Sequence, residues 1–359
     1  MSADKKIGIA LVLSAMDRAS TIINKATSNA ITRLDKVQKK YSEIATQQYN
    51  SGKQMIASGV AIAAPVVAAV SAYAQLEQAQ LDLQADLTDS NGKVNAYMDA
   101  LKQTANQLGA LLPGTTMDMD RMFDVMMRNG GNAKDIVEGV GKSTAYLAVI
   151  THNSYDQMGE DMLRWKYILG IANKDMMKFA DSIARTYTMG VQTSEMGYFF
   201  SSASGALKSL KIQGIEAYQK LAPVAALLVK DLNGGGPAGT AFAAVMQSLM
   251  DPKVQAALNV AGKATGIGQL TFFDKKGNFL GIDNMLAMFE KMQSLDARKK
   301  HLFTNILAGP KGKDTTVATV LMNGGVEEIR KMNEEMKKQA DIQRKIDIIT
   351  KGLINQWDA

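Results

Sequence analysis

The spacing of glycine constrains this chain more than any other feature. After Thr116 the sequence falls into units of roughly twenty residues, each an amphipathic stretch closed by glycine, at Gly130-Gly131, Gly170, Gly190 and, less regularly, Gly214. The two best copies, Gly170-Ile171-Ala172-Asn173-Lys174-Asp175 and Gly190-Val191-Gln192-Thr193-Ser194-Glu195, repeat their punctuation. Glycine takes the left-handed position past a helix end and the next apolar residue folds back on the finished helix. Asn173 or Thr193 is placed to cap the new N–H groups, and the acid meets the positive end of the new helix. Short connections make successive helices close neighbours. Composition agrees: 6% aromatic residues, 6 prolines and 23 methionines favour helix over sheet. The expected fold class is mostly α.

The first 88 residues follow a different pattern. Ile7 to Ser14 reads as a short apolar strand, and a helix follows from Asp17 to about Asn50, with Ile23, Ala30, Val37 and Ile44 recurring every seven residues beside Leu34 and Tyr41. Ser20 and Thr27 interrupt that seam, so the helix needs a neighbour, and self-association through residues 18–88 is expected. Ser51-Gly52 breaks the pattern before a second helix from about Lys53 to Leu87. Within it, Gln54 to Leu76 carries no charge and is long enough to span a bilayer. Its Ala, Gly and Ser content and central Pro65 favour a packed helix, with membrane contact through 54–76 as the alternative. Lys5 and Lys6, a short apolar run and then Asp17 and Arg18 lack the order of a secretory signal.

Asp89 to Gly92 and Leu112 to Thr116 are turn and cap clusters with one helix between them. Asn233 to Gly239 reads as a glycine-rich loop or close-packing turn before a helix from about Thr240. Leu270 to Leu280 reads as a small β-hairpin around Asp274-Lys275-Lys276-Gly277. A charged helix runs from Val326 almost to the carboxyl end. The expected organisation is an elongated N-terminal arm (1–88), a compact helical core (89–325) and the C-terminal helix (326–359).

Chemistry is thinly represented. Absence of cysteine excludes disulfides, thiolate metal sites and thiol nucleophiles, and His152 and His301 have no visible partners. Lys and Arg number 41 against 35 acids, a net charge of +6, and the runs Lys36 to Lys40 and Arg298 to Lys300 read as solvated helix faces, leaving nucleic-acid binding without a signal. Gly139-Val140-Gly141-Lys142-Ser143-Thr144 imitates the end of a phosphate-binding loop, but Ile136 stands where the first glycine belongs and a helical segment stands where the strand belongs. Gly234 to Gly236 has no charged neighbour in sequence, and Asp274 to Asn278 lacks the alternating carboxylates of a calcium loop. The methionines at 117, 119, 122, 126 and 127, at 158 and 162, and at 285, 288 and 292 lie at helical spacing and read as adaptable core. No catalytic, cofactor-binding or metal residue is expected, and the chain is not expected to be an enzyme.

Four segments together resemble the phage tail tape measure proteins. Ile9 to Ser20 resembles the family's short strand and Asp-x-Ala-Ser helix entry, and Gly59 to Glu77 its Ala-rich helix. Gly139 to Leu210 resembles its glycine-punctuated helical hairpins. Gly234 to Ala241, Phe273 to Gly277 and Leu307 to Gly312 resemble its later glycine-rich entry, Asp-Gly hairpin and terminal break. The resemblance implies a virion protein of the phage tail lumen, assembled in the host cytoplasm. It would act as a helical ruler around which tail tube subunits polymerise, with tail-tip or baseplate proteins and assembly chaperones as partners, released at genome ejection. A single helix of the whole chain would span about 540 Å. The chain ends soon after the core, without the family's long repetitive stretch, which implies a short tail, a ruler split between chains or a relic.

Overall fold

The computed structural model describes residues 71, 74–309 and 312–357, with side chains as far as Lys351. The chain divides into two units, 1–73 and 74–359, and the second is described by itself. The expected strand at 7–14, the helix from Asp17, the run Lys36 to Lys40 and residues 54–70 lie outside the described residues.

Unit 74–359 is a stack of helices. Helix α1 (74–86) packs through Ala79, Leu83 and Leu87. After a turn in which the Asp89 carboxylate accepts the N–H groups of Asn91 and Lys93, α2 (Met98–Leu111) begins. Thr115 and Asp118 then form a reciprocal capping box at the start of α3 (Thr116–Arg128). A π-turn (Ile136–Val140) with Gly139 at φ 136° leads into α4 (Gly141–Thr151). There follow α5 (Tyr155–Leu169), α6 (Met176–Thr188), α7 (Thr193–Ser209) and α8 (Gly214–Asp231). The chain continues through α9 (Gly235–Leu249), α10 (Pro252–Ala264), α11 (Ile282–Gln293) and α12 (Ala297–Ala308). A short α13 (Thr316–Val320) runs through a second π-turn into α14 (Val326–Lys338), and α15 (Ile342–Trp357) follows.

The fold is mostly α; some successive helices pack together, α2 on α3, α4 on α5 and α8 on α9, while others pair across an intervening helix, α4 with α6, α3 with α5 and α7 with α9. Gly170 (φ 61°) and Gly190 (φ 88°) take the left-handed turns that the spacing requires, and Ile171 and Val191 fold back into the core. Most of the predicted methionine core holds: Met119, Met122, Met126, Met158, Met162, Met285 and Met292 are fully buried and Met288 nearly so, whereas Met117 and Met127 are half-buried. At its centre Trp165, Phe179, Phe199, Phe200, Tyr218 and Phe242 form a chain of edge and tilted ring contacts across α5 to α9.

Four expectations are corrected. The helix expected from Thr240 starts at Gly235, because its glycines lie in a helix contact rather than in a loop. The β-hairpin reduces to one antiparallel bridge, Phe273 to Phe279; Leu270 and Phe272 go into a helical core, and no further strand extends the pairing among the described residues. The charged segment from Val326 is two helices broken at Gln339, which is extended at ψ 148°. Asn173 and Thr193 do not cap: Asn173 opens a 3-10 turn, and the Thr193 hydroxyl accepts from Asn153 Nδ2 at 2.8 Å.

Candidate functional site

The closest helix pairing joins α7 and α9. A Cβ at Gly235 would stand 1.8 Å from the Glu195 carbonyl oxygen, and one at Gly239 would stand 2.4 Å from the Phe199 carbonyl oxygen, so only glycine permits this backbone approach. The Glu195 carboxylate accepts the Gly235 N–H and thereby caps α9 across space. It occupies the place a phosphate would take, which removes the anion-cradle reading of Gly234 to Gly236.

A second polar assembly sits where α14 turns into α15. On α6, Asp181 and Arg185 pair at 2.7 Å. Arg185 Nη1 donates to the carbonyls of Met336 at 2.6 Å and Gln339 at 3.0 Å, a cation at the negative end of α14. The other Asp181 oxygen accepts the Ile342 N–H at 2.8 Å, an anion at the positive end of α15. Gln339 Nε2 returns a bond to the Arg185 carbonyl, and Lys345 Nζ reaches Thr188 Oγ1 at 3.0 Å. Burial holds the Lys345 ammonium below its ordinary pKa, against the pull of Asp181. One ion pair therefore clasps two helix ends.

The third assembly lies under α1. Asp120 is fully buried on α3; its Oδ1 has no hydrogen-bond partner among the described residues, while Oδ2 accepts from Gln80 Nε2 of α1 at 3.4 Å. Burial pushes its pKa up to about 6, opposed by the Gln80 hydrogen bond and the Lys102 charge. Asp124, one turn on, is also buried; burial raises its pKa, the facing Asp86 of α1 adds to the rise, and Arg128 opposes it. Arg128 pairs with both Asp124 and Asp86.

The residues singled out in the sequence do not converge. His152 is exposed and takes a left-handed turn at the end of α4, and His301 is exposed on α12. In the Gly139 to Thr144 segment the Ser143 and Thr144 hydroxyls both donate to the Val140 carbonyl, and Lys142 lies over the Tyr146 ring at 5.2 Å. Both oxygens of Asp274 are engaged in its own turn, accepting from Lys276 N, Asn278 N and Asn278 Nδ2. Those bonds, led by the Asn278 side chain, hold its pKa below the ordinary value. Arg298 and Lys299 are exposed on α12, and the half-buried Lys300 donates to Asn323 Oδ1 at 3.1 Å. Among the described residues no three of His, Asp and Glu are grouped to hold a metal ion, and no helix is long and apolar enough to cross a membrane. A surface groove of about 750 Å³ runs between the end of α7 and the Asp274 turn, lined by Lys211, Gln255, Asp274 and Lys275 among others.

Sequence reasoning missed Asp120, Asp124 and the Asp181–Arg185 clasp. A signal existed for the first two, since both acids fall among Met119, Met122, Phe123 and Met126, on the face that must be buried.

The arrangement defines an all-α unit whose polar groups fasten helix ends to one another. No curated protein and no solved structure matches the chain. The chain matches the family model of the phage-related minor tail proteins over residues 102–309, more than half its length, and it belongs to that family. It is a phage tail protein with a helical structural unit.

Proposed function

We propose that this phage tail protein is a tape measure: a non-enzymatic helical ruler that scaffolds tail tube polymerisation, sets tail length and leaves the tube at genome ejection. The family match over residues 102–309 carries the reading, because it falls on the glycine-punctuated core that the tape measure resemblance rests on. Support comes also from residues 18–50, whose seven-residue seam suits pairing with a second helix. In this reading the N-terminal helices of several copies associate, and tube subunits, tail-tip or baseplate proteins and assembly chaperones meet the chain in the host cytoplasm before it enters the tail lumen.

The test is negative-stain microscopy of tails from a phage carrying an in-frame deletion within residues 18–50, beside its parent. Shortened or missing tails are expected. Infectious tails of unchanged length would overturn the ruler and favour the membrane-active reading of the uncharged 54–76 segment, for which leakage of liposomes by the purified protein is the direct measurement.

A further inference from the structure

We propose that α1 docks on the core through a proton-sensitive latch, in which the buried carboxyls of Asp120 and Asp124, the latter facing Asp86 of α1, hold the helix more tightly as protons bind to them. The apolar grip of α1 is narrow: Ala79 and Leu83, with Leu87 just beyond the helix, are its buried residues. Against that grip stands a fully buried carboxylate with one oxygen unpartnered among the described residues. An uncompensated buried charge is costly, and the cost disappears when the group is protonated or when water reaches it.

The charges around the latch do not cancel. From α1 come Gln80 and Asp86, and from α2 comes the charge of Lys102. Helix α3 supplies Asp120, Asp124, Arg121 and Arg128, and α5 supplies Asp156, which lies in the fields of Arg121 and Arg128. Arg128 is shared between Asp86 and Asp124, so the two carboxyls compete for one guanidinium, and a proton on Asp124 relieves the repulsion. Undocking α1 removes the Gln80 contact and opens Asp120 to water, returning it to the ordinary carboxylate range.

The sign follows from linkage. The docked state binds the Asp120 proton more tightly than the undocked state, so docking is strongest in acid. That advantage is lost as pH rises from about 4 towards about 6 and stays lost above it. Docking is then about tenfold more favourable at pH 5 than at pH 7.5. Because α1 joins residues 1–73 to the core, its release converts residues 74–97 from packed structure into a connector of up to about 80 Å.

Hydrogen exchange on the full chain between pH 5 and pH 8, corrected for intrinsic rates, tests this at the amides of residues 76–87, with α9 amides as the internal reference. Protection of 76–87 should rise about tenfold towards pH 5 while α9 stays level. Asp120→Asn should raise protection at pH 7.5 and cut the dependence to about threefold or less. A level profile in the unmodified chain, an equal rise in α9, or a full tenfold dependence in a folded Asp120→Asn would each overturn the latch. Asp86 is one-third exposed at its side chain, so Asp86→Asn is the variant that tolerates substitution if Asp120→Asn loses its native circular dichroism. It should lose part of the dependence, and an undiminished slope in it would also count against the latch.

Discussion

Two glycines on one helix carry different burdens from a third between them. At Gly235 and Gly239 a methyl group would press on the carbonyls of Glu195 and Phe199, whereas at Gly236 it would meet nothing within 4 Å among the described residues. Gly235→Ala and Gly239→Ala should each cost about 1–3 kcal/mol in urea denaturation. Gly236→Ala should be neutral or gain up to about 1 kcal/mol by restricting the unfolded chain. Glu195→Ala should cost about 0.5–2 kcal/mol through loss of the α9 cap. The triplet itself is conspicuous in the sequence, but its role is not, because the carbonyls that demand it lie about forty residues earlier and belong to a backbone that has no sequence signature. Asp274 is the opposite case: its turn is legible locally because all its partners lie within four residues. Its lowered pKa means the turn is secure above the ordinary carboxylate range and weakens as pH falls through the lowered value, which a carboxyl titration by NMR would register.

Among the elements, the helices closed by Gly170 and Gly190 were readable because each stop and each folded-back apolar residue is a local event. The break at Gln339 was not, since no glycine or proline marks it; Asp341 caps the new helix locally, its carboxylate accepting the Arg344 N–H, and Asp181 and Arg185 on a distant helix fasten the corner. Arg185→Ala should cost about 1.5–3 kcal/mol, the value of hydrogen bonds to a charged donor. The loss should be local: proteolysis should cut first near 339–341, while the α7 and α9 amides keep their exchange rates. The missing hairpin has a related cause. Alternation around Asp274 matches a strand pair, yet a pair becomes a sheet only when a third partner covers it, and the neighbouring elements here are helices.

For the molecule as a whole, short connections predicted that successive helices pack together; α2 on α3, α4 on α5 and α8 on α9 do so, but the most extensive pairings, α7 with α9 and α3 with α5, join helices that are not successive. The second unit begins at residue 74, so residues 74–87 belong with the core helices. Accordingly, a chain beginning at residue 74 should keep a cooperative melt. One beginning at residue 89, which lacks Ala79, Leu83 and Leu87, should melt several degrees lower by circular dichroism. The clasp also imposes an order on biosynthesis. Arg185 leaves the ribosome 151 residues before Met336, its carbonyl partner. At about 5–20 residues per second, that is a lag of roughly 8–30 s. Throughout it α4, which is buried on nearly every side and already packs on α5 and α6, waits for α15, the last helix to cover it, and that face stays open to chaperones and proteases until translation reaches α15.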